Sequence, residues 1–492
     1  MASGDVTVGA IARSLRGVRS VRHPDRTVVA ITHDSRRVEP GTMFVAVVGN
    51  ESDGHDFVNS AVHAGASAIL TERKMDVDVG EIVVDDTRQA MAWAARAVYG
   101  EPDTSMAIVG VTGTNGKTTV AHMCESIWRA QERSVGLVGT LGARIDGKPV
   151  ELERTTPEAT DLQELLATMR DGGVEIVVME VSSHAMELHR ADAVIFDAVA
   201  FTNLSQDHLD FHTDMAAYFD AKASLFERER AKRAVINIDD AHGRRLLSMT
   251  ALESLTVGQS PEADVVISEV SGDEGGTRFT LRHQSESMRI FIPLIGDFNV
   301  SNAAVAAGIS IAMGTPREAI IAGLRSIPVI PGRMEAVEHD GGFLVLVDYA
   351  HTPDAISEVL QAGKSSARGR VIAVIGAAGD RDRDKRALMG AAAVRFADVT
   401  IITSDNPRSE DPDEITAEVR QGADAVPGAD ARVIVDRGDA IAAAIGLAND
   451  GDIVLILGKG HEQGIDVHGK VVPFDDRLVA SQALSVRGLI SP

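Results

Sequence analysis

The chain has 492 residues, with 48 Lys plus Arg against 72 Asp plus Glu and a formal net charge of −24. At roughly 150 residues per domain this length calls for about three domains, and 44% apolar with 24% charged residues is a globular composition, not a disordered, collagenous or coiled-coil one. So acidic a chain is ill suited to neutralising nucleic-acid phosphates or to lying on anionic membranes. Cys124 is the only cysteine, so no intrachain disulfide, zinc ribbon or iron–sulfur cluster can be built, which fits a reducing compartment. The first 20 residues carry Asp5, Arg13, Arg16 and Arg19 where a signal peptide has its apolar run, and no segment is long and apolar enough to span a membrane. A cytoplasmic protein with no nucleic-acid partner and no membrane insertion is expected.

Residues 1–103 alternate short apolar runs (Phe44–Val48, Ala66–Leu70, Ile82–Val84) with helix-like stretches and read as a small α/β domain. Residues 104–330 open on Met106–Val111 and continue through Val135–Val138, Val174–Val181, Ala193–Phe201 and Arg233–Ile238, spaced by helical patterns as in parallel βαβ units. Thr277–Leu281 and Met288–Leu294 then alternate around polar connections and predict an antiparallel patch. Residues 331–492 start near Pro331-Gly332 and return to βα alternation with Phe343–Val347, Arg370–Ile375, Val399–Thr403 and Ile453–Leu457. The expected fold class is α/β in three domains: a small N-terminal one, a central mostly parallel sheet of phosphate-loop type, and a Rossmann-like C-terminal one. The strands of the second and third regions run into polar, Gly- or Asp-containing tips, where open α/β sheets bind ligands. These two regions are therefore expected to face a shared cleft.

Val111-Thr112-Gly113-Thr114-Asn115-Gly116-Lys117-Thr118-Thr119 follows an apolar strand and precedes a helical stretch, Val120–Ala130. In that context glycines let backbone N–H groups approach phosphates, Lys117 reaches the β/γ oxygens and Thr118 can ligate Mg²⁺. The generic phosphate-loop pattern is not met, because position 111 is Val, and a plain glycine turn is the alternative. Glu180 ends a strand of buried type, where a carboxylate is costly unless paired or metal-bound. His208 lies in the polar run Asn203–His212. Hard Mg²⁺ prefers oxygen, so Glu180 and Thr118 suit it better than an imidazole, although one histidine in an oxygen-rich shell is acceptable. Lys222 alone reads as a helix-surface cation, Arg190 as a surface salt bridge, and Ser35 as the cap of a polar turn. The segment Gly379–Arg386 holds four cations and three carboxylates and alone reads as a self-compensating solvated loop.

The Gly-Thr-Asn-Gly-Lys-Thr loop resembles that of the Mur ligase family, and the likeness runs through all three regions. His33-Asp34-Ser35-Arg36-Arg37-Val38 with Asp53-Gly54-His55 resembles the family's UDP-binding domain, with Ser35 as a contact. The resemblance implies ATP binding by Gly113, Thr114, Asn115, Gly116, Lys117, Thr118 and Thr119, together with Asn302, Arg333, Asp348 and His351. Arg333 falls at the domain junction, so it is expected to act only after closure. The resemblance also implies that Thr155, Thr156, Ser182 and Arg190 hold a UDP-linked muramoyl dipeptide, and that Lys117, Lys222, His208 and Glu180 carry the catalysis. Two Mg²⁺ ions are implied, at Thr118, Glu180, His208 and Lys222, the last converted by carbon dioxide to a carbamate. Within the family the chain resembles members that add meso-diaminopimelate, with Arg381, Asp405, Asn406, Pro407, Arg408, Gly458 and Glu462 receiving it. A guanidinium at Arg408 would grip the second carboxylate that L-lysine lacks. Gly376-Ala377-Ala378-Gly379 departs from the family's usual approach to this loop.

The implied reaction is ATP-driven amide formation through an acyl phosphate, with UDP-N-acetylmuramoyl-L-Ala-D-Glu, meso-diaminopimelate and ATP as the partners of a monomer. An L-lysine-adding relative, a folylpolyglutamate synthetase-like ligase and a catalytically silent nucleotide-binding switch are the alternatives. Because the substrates are polyanions and the chain is acidic, their attraction must come locally from Lys117, Arg190, Arg333, Arg381, Arg408 and metal ions, with acids kept to the outer faces.

Overall fold

The structure, a computed structural model, describes residues 6–49, 52–152, 154–273 and 275–490; Asp5 lies outside the described residues. It consists of three α/β domains, each built on its own sheet. The first sheet runs Val18–Arg22, Gly80–Val84, Ala68–Thr71, Thr42–Val45, Ala30–Thr32, parallel except for its first pair. The second has eleven strands, and its parallel centre places Ile176–Glu180, Ala107–Thr112, Ala198–Phe201 and Arg233–Asn237 side by side. The third runs Glu335–Ala336, Leu344–Asp348, Ile453–Leu457, Val371–Ala377, Val399–Ser404, Ala431–Val433, parallel except for its first pair.

Parallel strands covered on both faces are apolar throughout, which is why these segments stand out in the sequence. Their pleat splits the side chains: Val109, Val111 and Val178 enter one core with the helix Lys117–Arg129, whereas Ile108, Val177 and Val199 enter the other with Leu162 and Leu166 of the helix Ala159–Asp171.

The expected antiparallel patch is present: Val265–Asp273, Gly276–His283 and Glu286–Ile292 pair antiparallel and extend the second sheet. Two details differ from the sequence reading. Ala193–Phe201 is a strand only over Ala198–Phe201, because Val194 N closes a turn on Ala191 O before Phe196 bridges Ala231. At the other edge, Gly142–Ile145 and Lys148–Val150 form a hairpin around Asp146-Gly147, both at positive φ (50° and 79°), as a tight hairpin turn requires.

The segment Gly379–Arg386 is only partly solvated: Asp380, Arg381, Arg383 and Asp384 are exposed, whereas Asp382, Lys385 and Arg386 are buried. Arg386 is 1% exposed and donates to Glu410 (2.7 and 2.9 Å) and Glu418 (2.9 Å). That guanidinium holds the Glu410 carboxyl down to about 2 from its ordinary 4.5. A folded-state pKa below the unfolded one stabilises fully above the unfolded value and is lost as pH falls through the folded one. Glu410→Gln should therefore flatten the acid limb between about pH 4.5 and pH 2, with a melting-temperature difference from wild type that shrinks by roughly 2–4 °C across that window, read by thermal unfolding at stepped pH.

Candidate active site

A cavity of about 750 Å³ lies where the C-terminal strand ends of the second and third domains meet. The helix Lys117–Arg129 begins at its floor, entered through Gly116 at φ 87°. A Cβ on Gly116 would stand 2.1 Å from Asn302 Oδ1, so the helix Asp297–Ala312 approaches the loop closely only because that position is glycine. Asn302 is fixed by donating to Asn299 Oδ1 at 3.3 Å. The loop is braced from behind, where Asn115 N donates to Asn203 Oδ1 (2.9 Å) and Thr202 Oγ1 to Asn115 O (2.7 Å). Thr114 Oγ1 pairs with the Tyr218 hydroxyl at 3.2 Å. Lys117 Nζ donates to Gly113 O (3.0 Å) and Thr114 O (2.7 Å), and burial pushes its pKa below the ordinary lysine value.

Thr118 Oγ1 donates to Glu180 Oε2 at 3.1 Å and accepts from Arg333 Nη2 at 3.1 Å. Arg333 thus already crosses from the third domain to the loop, held with its guanidinium 4.6 Å from the centre of the Tyr349 ring; no further closure is needed to bring it there. Thr119 also lines the cavity. Glu180, 1% exposed, takes Thr140 N (2.9 Å) and Thr140 Oγ1 (3.1 Å) as further donors. Asp348 accepts from Met334 N and Ala350 N, both at 2.8 Å, and burial raises its pKa. His351 Nδ1 bonds Tyr349 O at 2.8 Å.

Lys222 is 1% exposed and is no surface cation. Its Nζ donates to Gly113 O at 2.8 Å and sits 4.5 Å from the centre of the Tyr218 ring, and burial, reinforced by the charge of Lys117, drives its pKa well below the ordinary value. His208, at φ 55°, lies edge-on to His184. Burial lowers its pKa to about 3, so its ring is neutral at physiological pH. Asp207 was not singled out by sequence reasoning, yet it joins the domains: Oδ1 accepts from Lys385 Nζ at 3.1 Å, and Oδ2 lies 3.6 Å from His351 Nε2. Among the described residues no three His, Cys, Asp or Glu side chains form a metal nest; the hard donors that meet are the Thr118 hydroxyl and the Glu180 carboxylate.

On the opposite wall Thr155 Oγ1 pairs with Thr140 Oγ1 (3.1 Å), Thr156 Oγ1 donates to Glu180 O (2.9 Å), and Ser182 Oγ caps Ala185 N. Arg190 binds Glu158 at 2.9 Å, a carboxylate also approached by Arg154 at 3.2 Å and by Arg88 of the first domain at 3.4 Å. Arg381 lines the cavity and donates to Asp380 O. Asp405, Asn406, Pro407, Arg408, Gly458 and Glu462 form a separate cluster outside the cavity lining, and Ser35 lies in the first domain, starting a single helical turn capped by Asp34. Arg408, at φ 52°, donates from Nη1 to Gly379 O at 2.5 Å. Carboxylates also reach the cleft: Glu180, Asp207, Asp210, Asp348 and Glu358 face Lys117, Arg154, Arg190, Arg333 and Arg381, so acids are not confined to outer faces.

Three family models match in succession: the Mur ligase family catalytic domain over residues 27–99, the Mur ligase middle domain over 111–310, and the Mur ligase glutamate ligase domain over 332–460. The chain is 45% identical over 468 residues to the UDP-N-acetylmuramoyl-L-alanyl-D-glutamate–2,6-diaminopimelate ligase of Streptomyces coelicolor, covering 93% of this chain and 92% of that one. Its counterpart in Geobacillus thermodenitrificans is 44% identical over 472 residues, covering 94% and 96%. A solved structure of a UDP-N-acetylmuramoyl-L-alanyl-D-glutamate–2,6-diaminopimelate ligase superposes with a TM-score of 0.71 at 34% identity, over 99% of this chain and 100% of that one. A Mycobacterium tuberculosis folylpolyglutamate synthase complexed with ADP and AMPPCP shares the fold at a TM-score of 0.63 and 20% identity, over 82% and 96%. With a braced glycine-rich loop before the helix Lys117–Arg129, a cleft shared by the second and third domains, and a sequence match along nearly its whole length, the chain belongs to the Mur ligase family.

Proposed function

We propose that this chain is the ligase that joins meso-diaminopimelate to the D-glutamyl γ-carboxylate of UDP-N-acetylmuramoyl-L-Ala-D-Glu, with ATP as co-substrate, in peptidoglycan precursor synthesis. The observation that carries this reading is the Thr118 hydroxyl, held at once by Glu180 of the second domain and Arg333 of the third at the first turn of the loop helix. Phosphoryl transfer needs such convergence, because its catalysis is mostly positioning and charge stabilisation. The division of labour assigns UDP to residues 1–103 with Ser35, ATP to 104–330, and the amino acid to 331–492. The reading takes the protein as a cytoplasmic monomer.

The γ-carboxylate oxygen attacks the terminal phosphorus of ATP, giving an acyl phosphate and ADP; the amine nitrogen then attacks the acyl carbon, and phosphate leaves as the amine loses a proton. Lys117 and the loop amides from Gly113 to Thr119 meet the phosphate oxygens, with Asn302, Asp348 and His351 on the nucleotide side. Thr155, Thr156, Ser182 and Arg190 hold the dipeptide acceptor. Thr118 and Glu180 supply the oxygens that Mg²⁺ favours, and the neutral ring of His208 has a free lone pair to offer; two such ions would offset the repulsion between carboxylate and triphosphate. Lys222, its pKa driven down by burial, carries the neutral amine that carbon dioxide needs: nitrogen adds to carbon, a proton leaves, and an anionic carbamate results.

Arg408, with Asp405, Asn406 and Pro407, would read the distal carboxylate of diaminopimelate; Gly458 and Glu462 the distal ammonium; Arg381 the incoming α-carboxylate. Phosphate release should therefore be at least about tenfold faster with meso-diaminopimelate than with L-lysine, and Arg408→Ala should remove most of that preference; equal wild-type rates would point to the lysine-adding reading. Lys222→Ala should lose activity by roughly a hundredfold or more and regain part of it with added short-chain carboxylic acids, and a flat response to the acids would count against the carbamate.

A further inference from the structure

The third domain buries a cation that the phosphate chemistry leaves unused. Lys459 follows the strand Ile453–Leu457 and is 0% exposed. Its Nζ donates to Glu462 Oε2 (2.9 Å) and Asn406 Oδ1 (3.1 Å), with Asp405 Oδ1 at 3.9 Å. Asn406 Nδ2 donates to the same Glu462 oxygen at 2.8 Å, and Asp466 N donates to Asn406 Oδ1 at 2.9 Å. The amide is therefore fixed in orientation, since a flip would set its N–H groups against Nζ and a backbone N–H. Backbone geometry holds the lysine in this place: Gly458 (φ 113°) and Gly460 (φ 53°) flank it, and a Cβ on Gly458 would stand 2.6 Å from Asp405 Oδ2. The other deep cation nearby, Arg437, is committed to Asp476 (2.6 and 2.7 Å), Ser404 O and Leu457 O.

We propose that Lys459 is a positioning residue for the amino-acid substrate: it occupies one oxygen of Glu462 and orients Asn406, leaving the other Glu462 oxygen for the substrate's distal ammonium. This rests on the reading of Asp405–Arg408, Gly458 and Glu462 as the amino-acid site. Two acceptors hold this ammonium and a carboxylate oxygen of Asp405 stands 3.9 Å away, so Lys459 acts through Glu462 and not on the substrate itself. Without it, Glu462 and Asn406 lose the donor that fixes them, and Asp405 and Glu462 keep only the more distant charge of Arg437, which is bonded to Asp476.

The test is steady-state kinetics of Lys459→Met on the full chain. The KM for meso-diaminopimelate should rise roughly tenfold or more, while the KM values for ATP and the nucleotide-linked dipeptide stay within about twofold. Inhibition by 2-aminopimelate, which keeps both carboxylates but lacks the distal ammonium, should change less than about twofold. A KM increase shared by all three substrates, no change in the KM for diaminopimelate, or an equal weakening of 2-aminopimelate would overturn the proposal. Lys459→Gln keeps a donor of similar reach without the charge and should show a smaller loss of the same selectivity; a uniform loss there overturns it equally, even if the methionine variant does not fold. Wild-type protein that couples L-lysine but not meso-diaminopimelate would instead sink the reading of Arg408, and Lys459 would then be tested on L-lysine, which carries the same distal ammonium.

Discussion

Asp207 sits in the seam between the second and third domains, and the geometry of the cleft depends on how its charge is met. Burial alone would raise its carboxyl; His351 and Lys385 outweigh that and hold it well below the carboxylate range. Lys385 lies in the first turn of the helix Asp384–Phe396, which starts within the Gly379–Arg386 segment, and His351 follows the strand Leu344–Asp348, so two separate strand tips of the third domain are drawn to one carboxylate of the second. Stripping one partner from a buried ion pair typically costs about 3–5 kcal/mol. Parting these domains therefore means rehydrating Asp207 and its partners together. With the seam held, Gln206 also reaches Asp382 (3.3 Å), and Arg333 reaches Thr118.

The same economy of charge governs the cleft itself. Its lining carries as many carboxylates as lysines and arginines, five of each, on a chain of net charge −24. Several of these carboxylates have their oxygens engaged: both oxygens of Asp348 by backbone N–H groups, those of Glu180 by Thr118 and Thr140. They organise the loop and the domain junction more than they repel a ligand. Attraction for phosphate must then come from dipoles as well as ions, from the loop amides and the first turn of the helix Lys117–Arg129, where positive potential costs no net charge. Burial lowers the pKa of both Lys117 and Lys222, so the protonation of these amines is sensitive to any anion that enters.

Local pattern made much of this legible. Apolar strands ending in Gly- or Asp-rich tips gave the sheets and the position of the cleft, and the Gly113–Thr119 run gave the strand-to-helix loop that lines it. Long-range burial stayed hidden. Lys222 and Arg386 look like surface cations because a sequence shows spacing along a helix but not which domain will cover it; Lys222 meets Gly113, 109 positions away. Asp207 and Lys459 went unassigned for the same reason, their partners lying up to 178 and 53 positions away. The Asp146-Gly147 hairpin was missed, although that dipeptide is a usual signal for such a turn. The positive φ of Arg408 (52°) was not readable, because its N–H is taken by Asp466 O and its carbonyl by His468 N, contacts from a hairpin nearly sixty residues on.

Glu158 does at the first domain junction what Asp207 does at the second. It is 6% exposed, and three guanidinia converge on it: Arg154 and Arg190 from the cavity wall and Arg88 from the first domain. One carboxylate cannot neutralise three such charges, so this part of the wall retains a positive excess. The acid fixes the arginines in direction, and the surplus charge is left for the ligand. At both junctions, then, a buried carboxylate holds cations across a domain boundary, and the contacts that orient the domains are the contacts that set the polarity of the cleft. An anionic ligand bound there competes for the same guanidinium and ammonium protons that hold the domains together. Substrate binding and domain arrangement are thereby coupled through shared charges, with no separate hinge element required to connect them.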